Sequence, residues 1–271
     1  MKDWAIVTFL AAGIALFQWW ALPEHNSYSA DHIWLVAGAQ SLASGHGYRM
    51  PYLEGNPPIG LYPPGQSLFL AASWWICPRW PQVQVWLKGQ MIALFALTMG
   101  AMFLLLRRSG VSIITAALVT ITVGGNGAWA YEAMNCYPDI PFACLGFLAC
   151  WLWIGPASIT FGLRMAFTGI LLATMYLFRT AALGFLPGAL LAAVAACRDR
   201  RQWRFLALLV LPVAFAVLGW ALAPKGTLTY GAWVGEQWQR FDYLNMWFSY
   251  FNGYHWGYAF TIDTEQRIKD L

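Results

Sequence analysis

Seven stretches of this chain are apolar for long enough to cross a lipid bilayer, and that leaves few folds open to it. The runs are 4–22, 83–106, 111–130, 138–155, 161–178, 180–197 and 203–222, against the roughly 20 residues that a spanning helix needs. Of the 271 residues 59% are apolar and 10% charged, whereas an ordinary soluble domain carries about 25% charged residues. No single water-soluble core of this size hides so much apolar surface, so the solvent expected is lipid. The predicted fold is an all-α polytopic membrane protein with about seven transmembrane helices. The first run exceeds the ~7–15 residues of a signal-peptide core and reads as an uncleaved anchor.

An eighth apolar stretch, 66–77, is too short to span and reads as an interfacial or re-entrant helix. Charge supports leaving it out of the count. One side of the membrane then carries Lys2, Arg107, Arg108, Arg164, Arg198, Arg200, Arg201 and Arg204 against Asp3 and Asp199 alone. Counting 66–77 as a span would move Arg107 and Arg108 to the opposite side, against the positive-inside bias. The basic side is therefore expected to be cytoplasmic. The large loop 23–82, the segment around Glu132–Asp139 and the tail 223–271 are expected outside, with the active face periplasmic or extracellular on a plasma (inner) membrane. Two units follow: 1–222, transmembrane with its outer loop, and 223–271, aromatic-rich and expected to be incomplete.

Few residues outside the runs carry chemistry. The net charge of +4 is scattered over loops, which makes nucleic acid an unnatural partner. The five cysteines show no C-x-x-C pair, and His32, His46 and His255 have no metal-ligand spacing. No metal ligand is therefore assigned and no cofactor is certain. A divalent cation shared by Asp31 and Asp139 stays open, since hard cations take oxygen ligands. In the loop, Ser29 to Gly45 predicts a short amphipathic helix ending at Gly45. Asp31 at its head reads as an N-cap, as a catalytic base, or as both. In the tail, Trp233, Trp238, Trp247 and Trp256 alternate with tyrosines, which suits an interfacial belt before it suits sugar stacking.

Asp31, an aromatic three residues on (Trp34), then Ala, Leu and Gly45-His46-Gly47-Tyr48 together resemble the first outer loop of the GT-C glycosyltransferases. Those include the protein O-mannosyltransferases and the bacterial aminoarabinose and Rgt-type transferases. Leu61-Tyr62-Pro63-Pro64 resembles the family's Pro-Pro-Leu-Tyr stretch, with Gly65 and Gln66 where the family more often has Leu and Tyr. Asp139 stands where the family has an acid at the outer mouth of its fourth span. Leu177-Phe178-Arg179-Thr180 resembles its Leu-Thr-Arg-Pro stretch, and Lys88 matches a basic position near the outer end of its second span. The likeness runs from residue 1 to about 222, as in a C-terminally shortened member.

The resemblance implies an inverting transferase that moves a sugar from a polyprenyl-phosphate donor to a hydroxyl of a lipid, glycan or protein acceptor. Asp31 takes the acceptor proton. Asp139 orients the base, binds a cation or contacts the acceptor, unless it only stabilises a helix dipole. Lys88 and Arg179 hold the departing phosphate or serve as interfacial anchors. Tyr48 and Tyr62 are the implied substrate-binding aromatics. A transporter is the competing reading, along with a non-catalytic fragment. Transporters place ionisable groups near the bilayer midplane. The acids here fall at the outer ends of the runs, which favours the enzyme.

Overall fold

The computed structural model describes residues 2–21, 30–53, 55–154, 159–197 and 200–223. The chain divides into the units Met1–Gly226 and Thr227–Leu271, and the second, with the aromatic tail, lies outside the described residues. Among the described residues ten α-helices follow in order: α1 (Lys2–Ala21), α2 (Ala30–Ala43), α3 (Gly65–Ile76), α4 (Val83–Arg108), α5 (Ile113–Gly124), α6 (Gly127–Met134), α7 (Asp139–Ile154), α8 (Phe161–Phe178), α9 (Phe185–Ala196) and α10 (Leu206–Leu222). Short 3₁₀ segments, Thr180–Gly184 and Arg200–Phe205, precede α9 and α10. Among the described residues there is no strand, only an isolated bridge between Arg49 and Pro58.

Among the described residues four helices are long and apolar enough to cross a membrane, Asp3–Ala21, Val83–Arg108, Phe161–Phe178 and Gln202–Leu222, or five if the bent pair Ile113–Gly124 and Gly127–Ala133 forms one span. This is consistent with the all-α membrane architecture expected. The run 111–130 is broken, because Gly124, Gly125 and Asn126 end α5 and the Asn126 side chain accepts from the Ala128 amide to begin α6. The two helices meet at 53°. The run 138–155 forms the 16-residue α7. The run 180–197 divides into a 3₁₀ turn and the 12-residue α9. Helix α3 has 12 residues, the length that excluded 66–77 as a span.

The helix α2 ends as its sequence predicts. Gly45 takes a φ of 76°, while the amides of Gly45 and His46 reach back to the carbonyls of Leu42 and Ser41, a left-handed cap that glycine enters at little cost.

Helix α4 is the mast of the bundle, and side-chain pairs fix the level of its neighbours. At one end Arg107 meets Asp3 at 3.5 Å and Arg108 lies 5.0 Å from the Trp151 ring. At the other, the Lys88 ammonium sits 4.9 Å from the centre of the Trp19 ring. We call these the arginine end and the tryptophan end. Helix α1 thus runs antiparallel to α4 over its whole length. Buried Gln18 of α1 donates to the carbonyl of Gly124 at 2.8 Å and holds the close of α5. One core cluster joins Leu35, Leu70, Leu87, Met91, Phe95 and Ile140. A second joins Met165, Met175, Leu209 and Val213 between α8 and α10. A Cβ at Gly169 would stand 2.4 Å from the Leu208 carbonyl oxygen, so these two helices touch backbone to backbone.

Candidate functional site

The polar residues singled out by sequence gather towards the tryptophan end, in two layers. The upper layer is built by α2, α3 and the segment between α6 and α7. The His32 imidazole, fully buried, donates from Nδ1 to the Asn135 carbonyl at 2.6 Å. Burial pushes His32 below its ordinary value, and the backbone hydrogen bond opposes that only partly. Gln66 donates to the Cys136 carbonyl at 2.6 Å, and Ser67 donates to the Leu35 carbonyl at 2.8 Å. Asp31 lies in the first turn of α2, next to His32. Its backbone is therefore one residue from the contact with the segment 135–138. The Asp31 side chain lies outside the described residues.

Gly65 and Gln66, the two departures from the GT-C pattern, both have structural work in this layer. A Cβ at Gly65 would stand 2.5 Å from the Leu177 carbonyl oxygen, so α3 meets the end of α8 directly. Gln66 is the clamp on Cys136. Sequence reasoning missed His32 and Gln66 as positioning residues; the available signal was a polar side chain inside an otherwise apolar helix.

Lys88 is in this upper layer as well. It is only 8% exposed, with its ammonium over Trp19. Beside it runs an apolar groove of about 600 Å³ lined by Trp19, Ile76, Val85, Trp86 and Gly89. Tyr48 donates to the Tyr62 carbonyl at 3.2 Å, and burial raises its phenol well above the usual range. Its ring lies 6.3 Å from Trp220. Tyr48, Arg49, Pro64, Leu177, Phe215 and Trp220 line a cavity of about 430 Å³. Tyr62 packs half-buried against the first core cluster.

The lower layer is an ion pair. The Arg179 guanidinium bonds the Asp139 carboxylate, with side chains 43% and 37% exposed, and Glu132 feels both charges. Asp139 begins α7, and Arg179 follows the last residue of α8. The neighbouring Ile140 carbonyl faces the Thr98 hydroxyl at 3.5 Å, and that hydroxyl also donates to the Leu94 carbonyl at 2.8 Å. Leu177, two residues before Arg179, lines the same cavity as Trp220 near the end of α10. Lys88 lies over Trp19 while Arg179 is engaged by Asp139.

Among the described residues no group of three or more His, Cys, Asp or Glu is placed to hold a metal ion, and all five cysteines are free thiols. No protein-family model matches the chain, and neither a curated protein nor a solved structure matches it.

Proposed function

We propose that the chain is a membrane transferase that moves a sugar from a polyprenyl-phosphate donor to an acceptor hydroxyl at the outer face of the plasma membrane. The tryptophan end is the outer one in this reading. The observation that carries it is Lys88: a largely buried cation over the ring of Trp19, which also lines an apolar groove, at the level where tryptophans mark a headgroup boundary. A lipid phosphate needs such a cation, and its chain needs such a groove. The resemblance of the loop 31–48 to GT-C enzymes and the nearness of the Asp31 backbone to this layer support Asp31 as the base. Arg179, engaged by Asp139, serves the acceptor side rather than the donor phosphate.

The test is sugar transfer from a polyprenyl-phosphate donor by protein reconstituted in lipid. Asn caps a helix about as well as Asp but accepts no proton. Asp31→Asn should therefore fold normally and lose roughly 10²–10⁴-fold in rate. An equally active Asp31→Asn enzyme would remove Asp31 from the chemistry.

One observation favours a second reading, a transporter. The Asp139–Arg179 ion pair joins the start of α7 to the end of α8, and ionisable groups paired between apolar helices commonly mark a solute path. Solute flux into proteoliposomes without transfer activity would select it.

A further inference from the structure

We infer that the cavity between the segment 47–64 and the ends of α8 and α10 binds an anionic phospholipid, with its phosphate at Arg49 and a chain against α10.

The place of the cavity follows from how α8 and α10 pack. Gly162 of α8 meets Phe205, just ahead of α10, and Gly169 meets Leu208, so the two helices run parallel. Leu177 of α8 then shares the cavity with Trp220 and Ala223 at the end of α10. Both helices belong to segments long and apolar enough to cross a membrane. The cavity therefore lies where two such segments end together, and a tryptophan there suits a headgroup boundary.

One wall is apolar. From Phe215 to Ala223 a single face of α10 supplies about 12 Å of it. Gly219, on this face, leaves open space where a side chain would stand. Trp220 is 9% exposed and forms the back. Phe215 is 70% exposed, which opens the cavity sideways, towards the bilayer.

The other wall carries the charge. Gly47 takes a φ of 78°, a turn that glycine enters without strain, and Tyr48 and Arg49 follow it onto the cavity. The Ile59 amide donates to the Tyr48 carbonyl at 3.1 Å. The Arg49 guanidinium donates to the Asn56 carbonyl at 3.0 Å, using one of its five donors. Arg49 takes part in neither ion pair among the described residues, and no acid is among the described residues that line the cavity.

A guanidinium fork matches phosphate oxygens. Free phosphate would leave the apolar wall bare, and an uncharged lipid would leave the arginine unused. A phospholipid satisfies both. The volume of about 430 Å³ is that of an ordinary ligand site, with the rest of the chains lying past Phe215 in the bilayer. This is not the groove beside Lys88. Helix α1 packs on α4, α4 on α7, α7 on α8 and α8 on α10, so the Trp19–Trp86 groove and this cavity belong to different flanks. The inference stands without the transferase reading.

The experiment is native mass spectrometry of the full chain in nonionic detergent. It is titrated with phosphatidylglycerol, or with the diacylglycerol of the same chains, which lacks the phosphate. Wild type should bind phosphatidylglycerol about ten- to a hundredfold more tightly, the size of one charge-assisted contact. Arg49→Gln, which keeps a donor for Asn56, should lose that preference. Arg79→Gln, at an exposed cation four residues before α4, should keep it. Gly219→Leu fills open space and should weaken both lipids alike. Excess glycerol phosphate, a headgroup without chains, should displace neither. Equal affinity of wild type for the two lipids, or an undiminished preference in Arg49→Gln, overturns the inference. An equal loss in Arg79→Gln does so too, by showing general surface charge alone. Displacement by glycerol phosphate would make the ligand a soluble anion, and full lipid binding in Gly219→Leu would leave the cavity empty; each overturns it. Arg49 is exposed, so Arg49→Gln decides even where Gly219→Leu fails to fold.

Discussion

The His32 imidazole and the Asn135 carbonyl, 103 positions apart in sequence, are joined at 2.6 Å. That bond requires a proton on Nδ1, and burial disfavours a second one. Folded His32 therefore has a pKa below its unfolded value of 6.5. The unfolded chain binds more protons between those two values, so stability is complete above 6.5 and falls as pH drops through the folded value. Thermal unfolding of wild type from pH 8 to 5 should show a declining midpoint. In His32→Gln the slope should be shallower, with about 1 kcal/mol lost at pH 8. Parallel pH profiles would show that His32 carries no linkage.

Lys88→Ala should raise the donor KM for a polyprenyl-phosphate sugar about ten- to a hundredfold, the size of one charge-assisted contact. Arg179→Ala should leave donor KM within about threefold, since its guanidinium is engaged by Asp139. Steady-state kinetics at varied donor concentration decide this. Equal donor defects in both variants would place the two cations on one substrate group.

Gly65→Ala puts a methyl group 2.5 Å from the Leu177 oxygen, a backbone atom that cannot rotate away. Helix α3 must shift from α8, at a cost of about 1–3 kcal/mol. The thermal midpoint of the purified protein reads the loss. An unchanged midpoint would mean that the two helices are not in contact.

Asp139→Asn and Arg179→Gln, separately and together, measure the ion pair by a double-mutant cycle. A hydrated pair should couple by about 1 kcal/mol or less, read from unfolding in mixed micelles. A coupling of several kcal/mol would describe a pair shielded from solvent, against the partial exposure of both side chains.

The sequence declares some of this fold openly. The short stretch 66–77 becomes α3, and Gly45 ends α2, because length and a left-handed glycine are local signals. The break in 111–130 was written in Gly124-Gly125-Asn126, yet the apolar composition on either side concealed it. The pairing of Asp139 with Arg179 was not legible at all. A hydropathy run gives a helix its length, but which residue it packs against is a tertiary matter. For the same reason Lys88 and Arg179 read as one phosphate site in sequence, whereas in the fold Lys88 lies over Trp19 and Arg179 bonds Asp139. The GT-C resemblance offered roles for Asp31, Asp139 and the two tyrosines, and these remain proposals for the assays above.

The clamps from α2 and α3 have a consequence for how the molecule is made. His32 waits for Asn135 and Gln66 waits for Cys136, residues 103 and 70 positions later. A chain emerging from the ribosome completes α1 and α4 long before those partners exist, so until then α2 and α3 hold each other through Leu35 and Ser67, and α3 holds α4 through Phe69 and Gln90, without these two clamps. The clamps close only after the membrane anchors are in place. A truncation before Asn135 should therefore insert and yet leave residues 30–77 more open to protease than in the full chain.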